Sequence, residues 1–334
     1  MISRSRGLTL IELLISSALG LVVIAAVGSL FMMSSRAIRQ DERMSFMNQE
    51  LSYAIAQLMQ DIEMAGHWAR LHESARVELH DNLAIAQDCG PTSTAWTYAD
   101  RTALRILDNA TGASANASFQ CLPASDILPG TDVVAVKRVA GRPGGSDLGM
   151  GGQTSGAVYL RTGNLSGRLY LHNGVAFGNV PPPFENWEYR PAIYYIQPTV
   201  DGVAEPALCR RILQATGAGS PPAFVRECLA QGVENLQLEA GIDTDADGAA
   251  NYFTASPTAS VSGQIVSVRL FLLARSSRPD PSHSEPAGKS YMFSNMTAPH
   301  EPADDALDRH YYHKTLSTEI VLRNPRTLQG VAIQ

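Results

Sequence analysis

Asp243, Asp245 and Asp247 place three carboxylates at alternate positions, with Gly248 directly after them. A tight turn can aim such carboxylates at one point, and an oxygen-lined point suits Ca²⁺. Asn251 falls at the ninth position of a calcium loop of this kind. Thr254 stands at the twelfth, where a bidentate Glu is wanted, and Val233–Ala240 before the loop reads as a strand rather than a helix. Asx turns favour Asp and Gly as well. The pattern therefore predicts either a Ca²⁺ site at Asp243, Asp245 and Asp247 with Asn251, or a solvated turn, and does not choose between them.

Glu12 is the second residue whose surroundings demand chemistry. It is the only ionisable side chain in the apolar run 8–33. A carboxylate in hydrocarbon costs about 2.5–3.5 kcal/mol on insertion scales, so such groups are usually paired and functional. Arg4 and Arg6 precede the run, and Arg36 and Arg39 follow it. About 20 apolar residues cross a bilayer core, so the run is long enough to span. No small-residue cleavage site follows Met33, as a secretory signal would require.

Catalytic patterns are missing. The chain has no H-E-x-x-H, no G-x-S-x-G and no G-x-x-x-x-G-K-[ST], so no enzyme is expected. His310 and His313 fall in a stretch read as a strand, where an odd spacing puts them on opposite faces. They are read as surface histidines, not joint metal ligands. The net charge is −6, which gives a nucleic-acid partner no electrostatic support.

The elements that carry these residues follow from periodicity. Met44, Met47, Leu51, Ala54, Leu58, Ile62 and Ala65 recur at steps of three and four, a helical stripe. No proline occurs from Met1 to Cys89, and Gly66 is a natural stop. One helix over 8–65 is therefore predicted, with a membrane half at 8–33 and an amphipathic half at 34–65. The remainder, 66–334, shows short runs rich in β-branched and aromatic residues separated by Gly- and Pro-rich loops. These runs are 103–107, 132–139, 157–161, 168–172, 192–197, 208–213, 233–240, 264–274 and 312–322. The fold class expected is α+β, a long N-terminal helix packed on a large antiparallel β-rich head.

Gly7-Leu8-Thr9-Leu10-Ile11-Glu12, behind a short basic leader and before an apolar run, closely resembles the prepilin-peptidase site of type IV pilins and type II secretion pseudopilins. The resemblance implies cleavage between Gly7 and Leu8, removal of the leader 1–7, and methylation of the new amine on Leu8. The family usually has Phe at that position. Glu12 is then the residue that pairs with a neighbouring subunit's amine during assembly. The long head, the stretch GIDTDADG at Gly241–Gly248, the strand QIVSVRLFLLARS at Gln264–Ser276 and the ending TLSTEIVLRN at Thr315–Asn324 resemble the PilW-type minor pilins. Such a protein is expected to prime or cap type IV pilus assembly and to support a tip adhesin. Its implied partners are other minor and major pilins, the prepilin peptidase, the inner-membrane assembly platform and that adhesin. The implied location is a single pass through the inner membrane of a Gram-negative bacterium, with the head in the periplasm and later on the pilus at the cell surface. A J-class pseudopilin of type II secretion and an adhesive binding module at the filament tip are the alternatives.

A head outside the cytoplasm lies in an oxidising compartment. The four cysteines, Cys89, Cys121, Cys209 and Cys228, allow three connectivities. The sequence-local pairing, Cys89–Cys121 and Cys209–Cys228, is expected, with four free buried thiols as the alternative.

Overall fold

The computed structural model describes residues 9–71, 76–80, 83–90, 96–97, 102–144, 153–163, 166–173, 185–217, 220–258, 264–286, 288–294, 296–301, 308–324 and 332–333. Two units divide the chain, Met1–Asn48 and Gln49–Gln334. A single helix, α1 (Leu10–Glu63), runs through their boundary. From Leu10 to Met33 its large apolar side chains are exposed; Leu10, Ile24 and Phe31 are 77%, 70% and 72% accessible. In the second unit Leu51, Ala54, Leu58 and Ile62 are fully buried, on one helical face. The helix stops before Gly66, whose φ of 70° lies in the left-handed region that glycine enters without a Cβ penalty.

Among the described residues the head contains fourteen strands in three sheets. In chain order they are β1 (Arg76–Leu79), β2 (Leu104–Ala110), β3 (Thr131–Val136), β4 (Val158–Thr162), β5 (Ser166–Leu171), β6 (Glu185–Glu188), β7 (Ala192–Gln197), β8 (Ala207–Gln214), β9 (Ala223–Gln231), β10 (Val233–Ile242), β11 (Tyr252–Thr254), β12 (Ile265–Arg275), β13 (His313–Val321) and β14 (Ala332–Ile333). A short helix, α2 (Gly112–Ser118), follows β2. One antiparallel sheet has the order β2-β3-β7-β8-β9, and a second the order β11-β10-β12-β13. The third, β14-β1-β5-β4-β6, departs from an all-antiparallel head, because β1 runs parallel to both β5 and β14. Short hairpins enforce antiparallel pairing. β1 and β5 are separated by three intervening strands, so that constraint does not reach them.

The expected strands are present, shifted by a few residues at their ends. Five strands (β1, β6, β9, β11 and β14) and α2 lack a readable sequence signal. β9 reads AFVRECLAQ, so Arg226 and Glu227 interrupt its apolar run. It lies at a sheet edge, where charge facing solvent is tolerated. The helix α2 is announced only by its cap: Thr111 and Ser114 form a reciprocal capping box.

Two residues stitch the sheets together. Asp132 on β3 is fully buried. Its Oδ1 accepts the Asn109 N–H at 2.7 Å, and its Oδ2 accepts the Leu238 N–H of β10 at 2.7 Å. Gly232, between β9 and β10, has φ 75°, and a Cβ there would sit 2.5 Å from the Arg275 carbonyl oxygen. No other residue fits that approach.

Burial pushes the Asp132 carboxyl up to about 7, against the pull of its two N–H donors, with the charges of Asp108 and Glu239 adding to the rise. A carboxyl raised in the folded state binds more protons folded than unfolded. Its stabilising contribution is full below the unfolded value near 4 and is lost as pH rises towards 7. Urea unfolding at pH 5 and pH 8 should show a fall in stability from this group of roughly 2–3 kcal/mol. Asp132→Asn should remove that pH-dependent part. An equal slope in variant and wild type would exclude Asp132 as its source.

The disulfides are Cys89–Cys121 and Cys209–Cys228. The second joins directly opposed residues of β8 and β9. Cys89 and Cys209 share a core cluster with Trp96, Phe119, Tyr195 and Phe224. Closing loops of 32 and 19 residues stabilises the head by about 3 kcal/mol each in the chain-entropy model.

Candidate functional site

Gly7 and Leu8, the residues of the expected cleavage site, lie outside the described residues. Glu12 lies just inside them, in the first turn of α1. Its Oε2 accepts the Thr9 N–H at 2.9 Å and the Thr9 hydroxyl at 2.8 Å, and its own N–H points back to Thr9 Oγ1 at 3.3 Å. This is a reciprocal capping box, in which a threonine at the cap and a glutamate three residues on satisfy two orphan N–H groups. The carboxylate thus has a local structural task within its own chain. Thr9-Leu10-Ile11-Glu12 carries that signal in the sequence, and the apolar context hides it. Among the described residues one helix, α1, is long and apolar enough to cross a membrane.

The acidic loop connects β10 to β11. Asp243, Asp245 and Asp247 each bring a carboxylate oxygen within 4.8 Å of the others. Asp243 is nonetheless committed to the turn. Its Oδ1 accepts the N–H groups of Asp245 at 3.2 Å and Ala246 at 2.7 Å, and its Oδ2 accepts the Gly248 N–H at 2.8 Å. These donors, the Gly248 N–H foremost, hold the Asp243 carboxyl below its ordinary value. Asn251 Oδ1 closes the other side, accepting the N–H of Thr244 at 2.6 Å and its hydroxyl at 2.9 Å. Ala246, at φ 63°, and Gly248, at φ 90°, take the left-handed conformations that the bend requires. Asp245 and Asp247 are exposed.

The reading of His313 as a surface histidine is overturned, while His310 and His313 do not share a site. His310 ends the 3-10 turn Asp308–His310 and is not on a strand. His313 opens β13, and its side chain has no exposed surface. It faces Glu234, His300 and Asp308, which brings one nitrogen or oxygen of each side chain into a common cluster. Residues this far apart in sequence meet only through the β10-β12-β13 register, so no local spacing announces them.

Asp61 belongs on the polar face of the helix by periodicity, yet it is 5% exposed. Asp61 Oδ1 accepts the Arg138 Nε–H at 2.8 Å and also a hydrogen bond from Arg138 Nη2. Its Oδ2 accepts the Tyr194 hydroxyl at 2.5 Å, and Arg210 Nη1 donates to that same phenol oxygen at 3.1 Å. The sequence shows Arg138 and Arg210 only as halves of the short basic pairs Lys137-Arg138 and Arg210-Arg211. The first pair is buried whole; Lys137 is 0% exposed and Arg138 5%. At the helix end, Glu63 Oε2 meets Arg323 Nη2 at 2.9 Å, and the Glu63 carbonyl accepts the Arg323 N–H at 3.0 Å.

A helix that exposes an unbroken apolar surface behind a capped acidic first turn, and continues into a disulfide-bonded β head, has the layout of a prepilin-type subunit. The prokaryotic N-terminal methylation motif matches residues 2–28. The model of type IV pilus-assembly protein W matches residues 193–324, from β7 past the end of β13. The two matches together support a type IV minor pilin. No curated protein matches it in sequence. Among solved structures it is similar to a type IV-like pilin from Thermus thermophilus, at 10% identity and a TM-score of 0.37, over 83% of this chain and 96% of that one.

Proposed function

We propose that this minor pilin primes or caps the pilus, entering as one of the first subunits and remaining at the tip, where its head supports an adhesin. The observation that carries this reading is the pairing of an assembly-competent helix with an elaborate head. The helix exposes apolar side chains from Leu10 to Met33. Among its described residues the head holds three sheets and two disulfides, more than a repeating subunit needs for lateral packing. In this reading prepilin peptidase cuts between Gly7 and Leu8. The helix leaves the inner membrane through the assembly platform, with other minor and major pilins as neighbours. The head folds in the periplasm of a Gram-negative cell, where both disulfides can form. The role is structural, not catalytic. A chromosomal deletion tests it: surface pili are lost while type II secretion of enzymes is intact, and the complementing protein is recovered in sheared filaments in trace amounts. Normal piliation with failed secretion would assign the chain to a secretion pseudopilus instead.

We also propose that the Asp243–Asp247 loop takes Ca²⁺, with Asp245 and Asp247 as its exposed carboxylates and Asn251 beside them. The convergence of three carboxylates within 4.8 Å supports it. Millimolar Ca²⁺ should raise the melting temperature of the purified chain by several degrees, as a cation bound to the folded state alone does at saturation. Asp245→Ala should abolish the rise. A melting temperature indifferent to Ca²⁺ leaves the loop as an Asx turn and nothing more.

A further inference from the structure

Glu234 opens β10, His300 lies in the irregular crossing between β12 and β13, Asp308 sits in the 3-10 turn, and His313 opens β13. His300 Nε2 is 3.1 Å from Asp308 Oδ2 and 3.6 Å from Glu234 Oε2. His313 Nε2 is 3.4 Å from Glu234 Oε2 and 3.6 Å from Asp308 Oδ1. Despite these distances, His300 Nε2, His313 Nε2 and Glu234 Oε2 are all buried without a hydrogen-bond partner. They converge on a common centre and are not aligned on one another. A tetrahedral metal with bonds of about 2.0–2.1 Å separates its donors by about 3.3–3.4 Å. The four measured separations bracket that edge.

The surroundings supply what such a centre needs. His313 Nδ1 lies 3.4 Å from Glu285 Oε1, which also accepts the Tyr291 hydroxyl at 2.8 Å. An imidazole that donates through Nδ1 presents a lone pair at Nε2, and here that lone pair meets two carboxylates. For a neutral ring that is acceptor against acceptor, which either a bound cation or a second proton on the imidazole relieves. Arg275 Nη1 binds Glu234 Oε1 at 3.1 Å and Asp308 Oδ1 at 3.4 Å. It thereby orients both carboxylates and leaves Glu234 Oε2 and Asp308 Oδ2 turned inward. With neutral imidazoles, the carboxylates of Glu234, Glu285 and Asp308 outnumber the one guanidinium by two charges, which a divalent ion neutralises. A cleft of about 480 Å³, lined in part by Glu234, Arg275 and His300, gives access.

We propose that Glu234, His300, Asp308 and His313 bind a divalent transition metal, zinc by the match of two imidazoles and two carboxylates to a four-coordinate centre. A centre closed by four protein ligands is structural. It ties the long crossing between β12 and β13 to the start of β10 and β13.

The test uses the full chain in detergent, purified without a histidine tag, stripped with chelator and dialysed against Zn²⁺ or Co²⁺. One equivalent of zinc is retained, and the Co²⁺ form shows the intense visible bands of a four-coordinate site. His300→Gln, at a partly exposed position, loses the retained metal and those bands. Glu285→Gln, acting through His313, weakens affinity about 10–100-fold. Asp245→Ala, on the acidic loop, retains the full equivalent. If the wild type holds no zinc and its Co²⁺ spectrum is that of the aqueous ion, the proposal fails, and protonated imidazoles fill the centre instead. Equal retention by wild type and His300→Gln overturns it too, even if His313→Gln does not fold.

Discussion

Asp61→Ala lowers the unfolding free energy of the protein by about 3–5 kcal/mol, the loss expected when one partner of a buried ion pair is removed. Without the carboxylate, the Arg138 guanidinium, at 6% side-chain exposure, keeps its charge with, among the described residues, one remaining hydrogen bond, to the Val139 carbonyl at 3.1 Å. The Tyr194 hydroxyl loses its acceptor as well. The magnitude comes mostly from these orphaned groups and not from the worth of the pair itself. Replacing both charges with apolar side chains of similar size is often neutral. Asp61→Leu combined with Arg138→Met should therefore recover more than half of the loss. Urea unfolding of the four proteins makes a double-mutant cycle. A loss below about 1 kcal/mol in Asp61→Ala, or a double variant as unstable as the sum of its singles, rejects this account. The network matters for function because it joins the last turns of α1 to β7, β8 and the end of β3. Its loss should loosen the helix end from the sheet while leaving the apolar half untouched.

Glu12→Ala abolishes recovery of the protein in sheared filaments while leaving its amount in the membrane unchanged. Two explanations compete, and one further variant separates them. The carboxylate closes a capping box with Thr9, a local device worth about 1 kcal/mol. By resemblance it also pairs with a neighbour's new amine, so that docking neutralises two charges that would otherwise be stranded in an apolar core. Glu12→Gln retains the capping geometry, since glutamine serves at that position too, but carries no charge. If pairing governs assembly, Glu12→Gln is excluded from filaments as fully as Glu12→Ala. If capping governs it, Glu12→Gln incorporates normally. Equal incorporation of all three proteins discards both roles.

Much of this molecule was open to inspection before any fold was known. The helix was legible because its signal is local: an apolar run, then a stripe at Leu51, Ala54, Leu58 and Ile62, then Gly66 as the stop. Strands such as β7 and β12 were legible because continuous β-branched and aromatic runs have few other uses. Glu12 was conspicuous for its charge, and the acidic loop for its alternation. The parallel pairing of β1 with β5 and β14 was not readable, since it depends on neighbours distant in sequence; the edge strand β9 was hidden by Arg226 and Glu227, and α2 carries no signal beyond its cap. The same reason governs the charged side chains. Asp61 reads as solvent-facing by its position on the helix, and only the approach of Arg138 and Tyr194 makes its burial tolerable. His313 reads as a surface residue, and only the register of β13 on β12 beside β10 brings it to Glu234, His300 and Asp308. Periodicity in a chain reports which face is apolar. It cannot report which buried charges find each other, because that depends on distances that the chain acquires only when its sheets close.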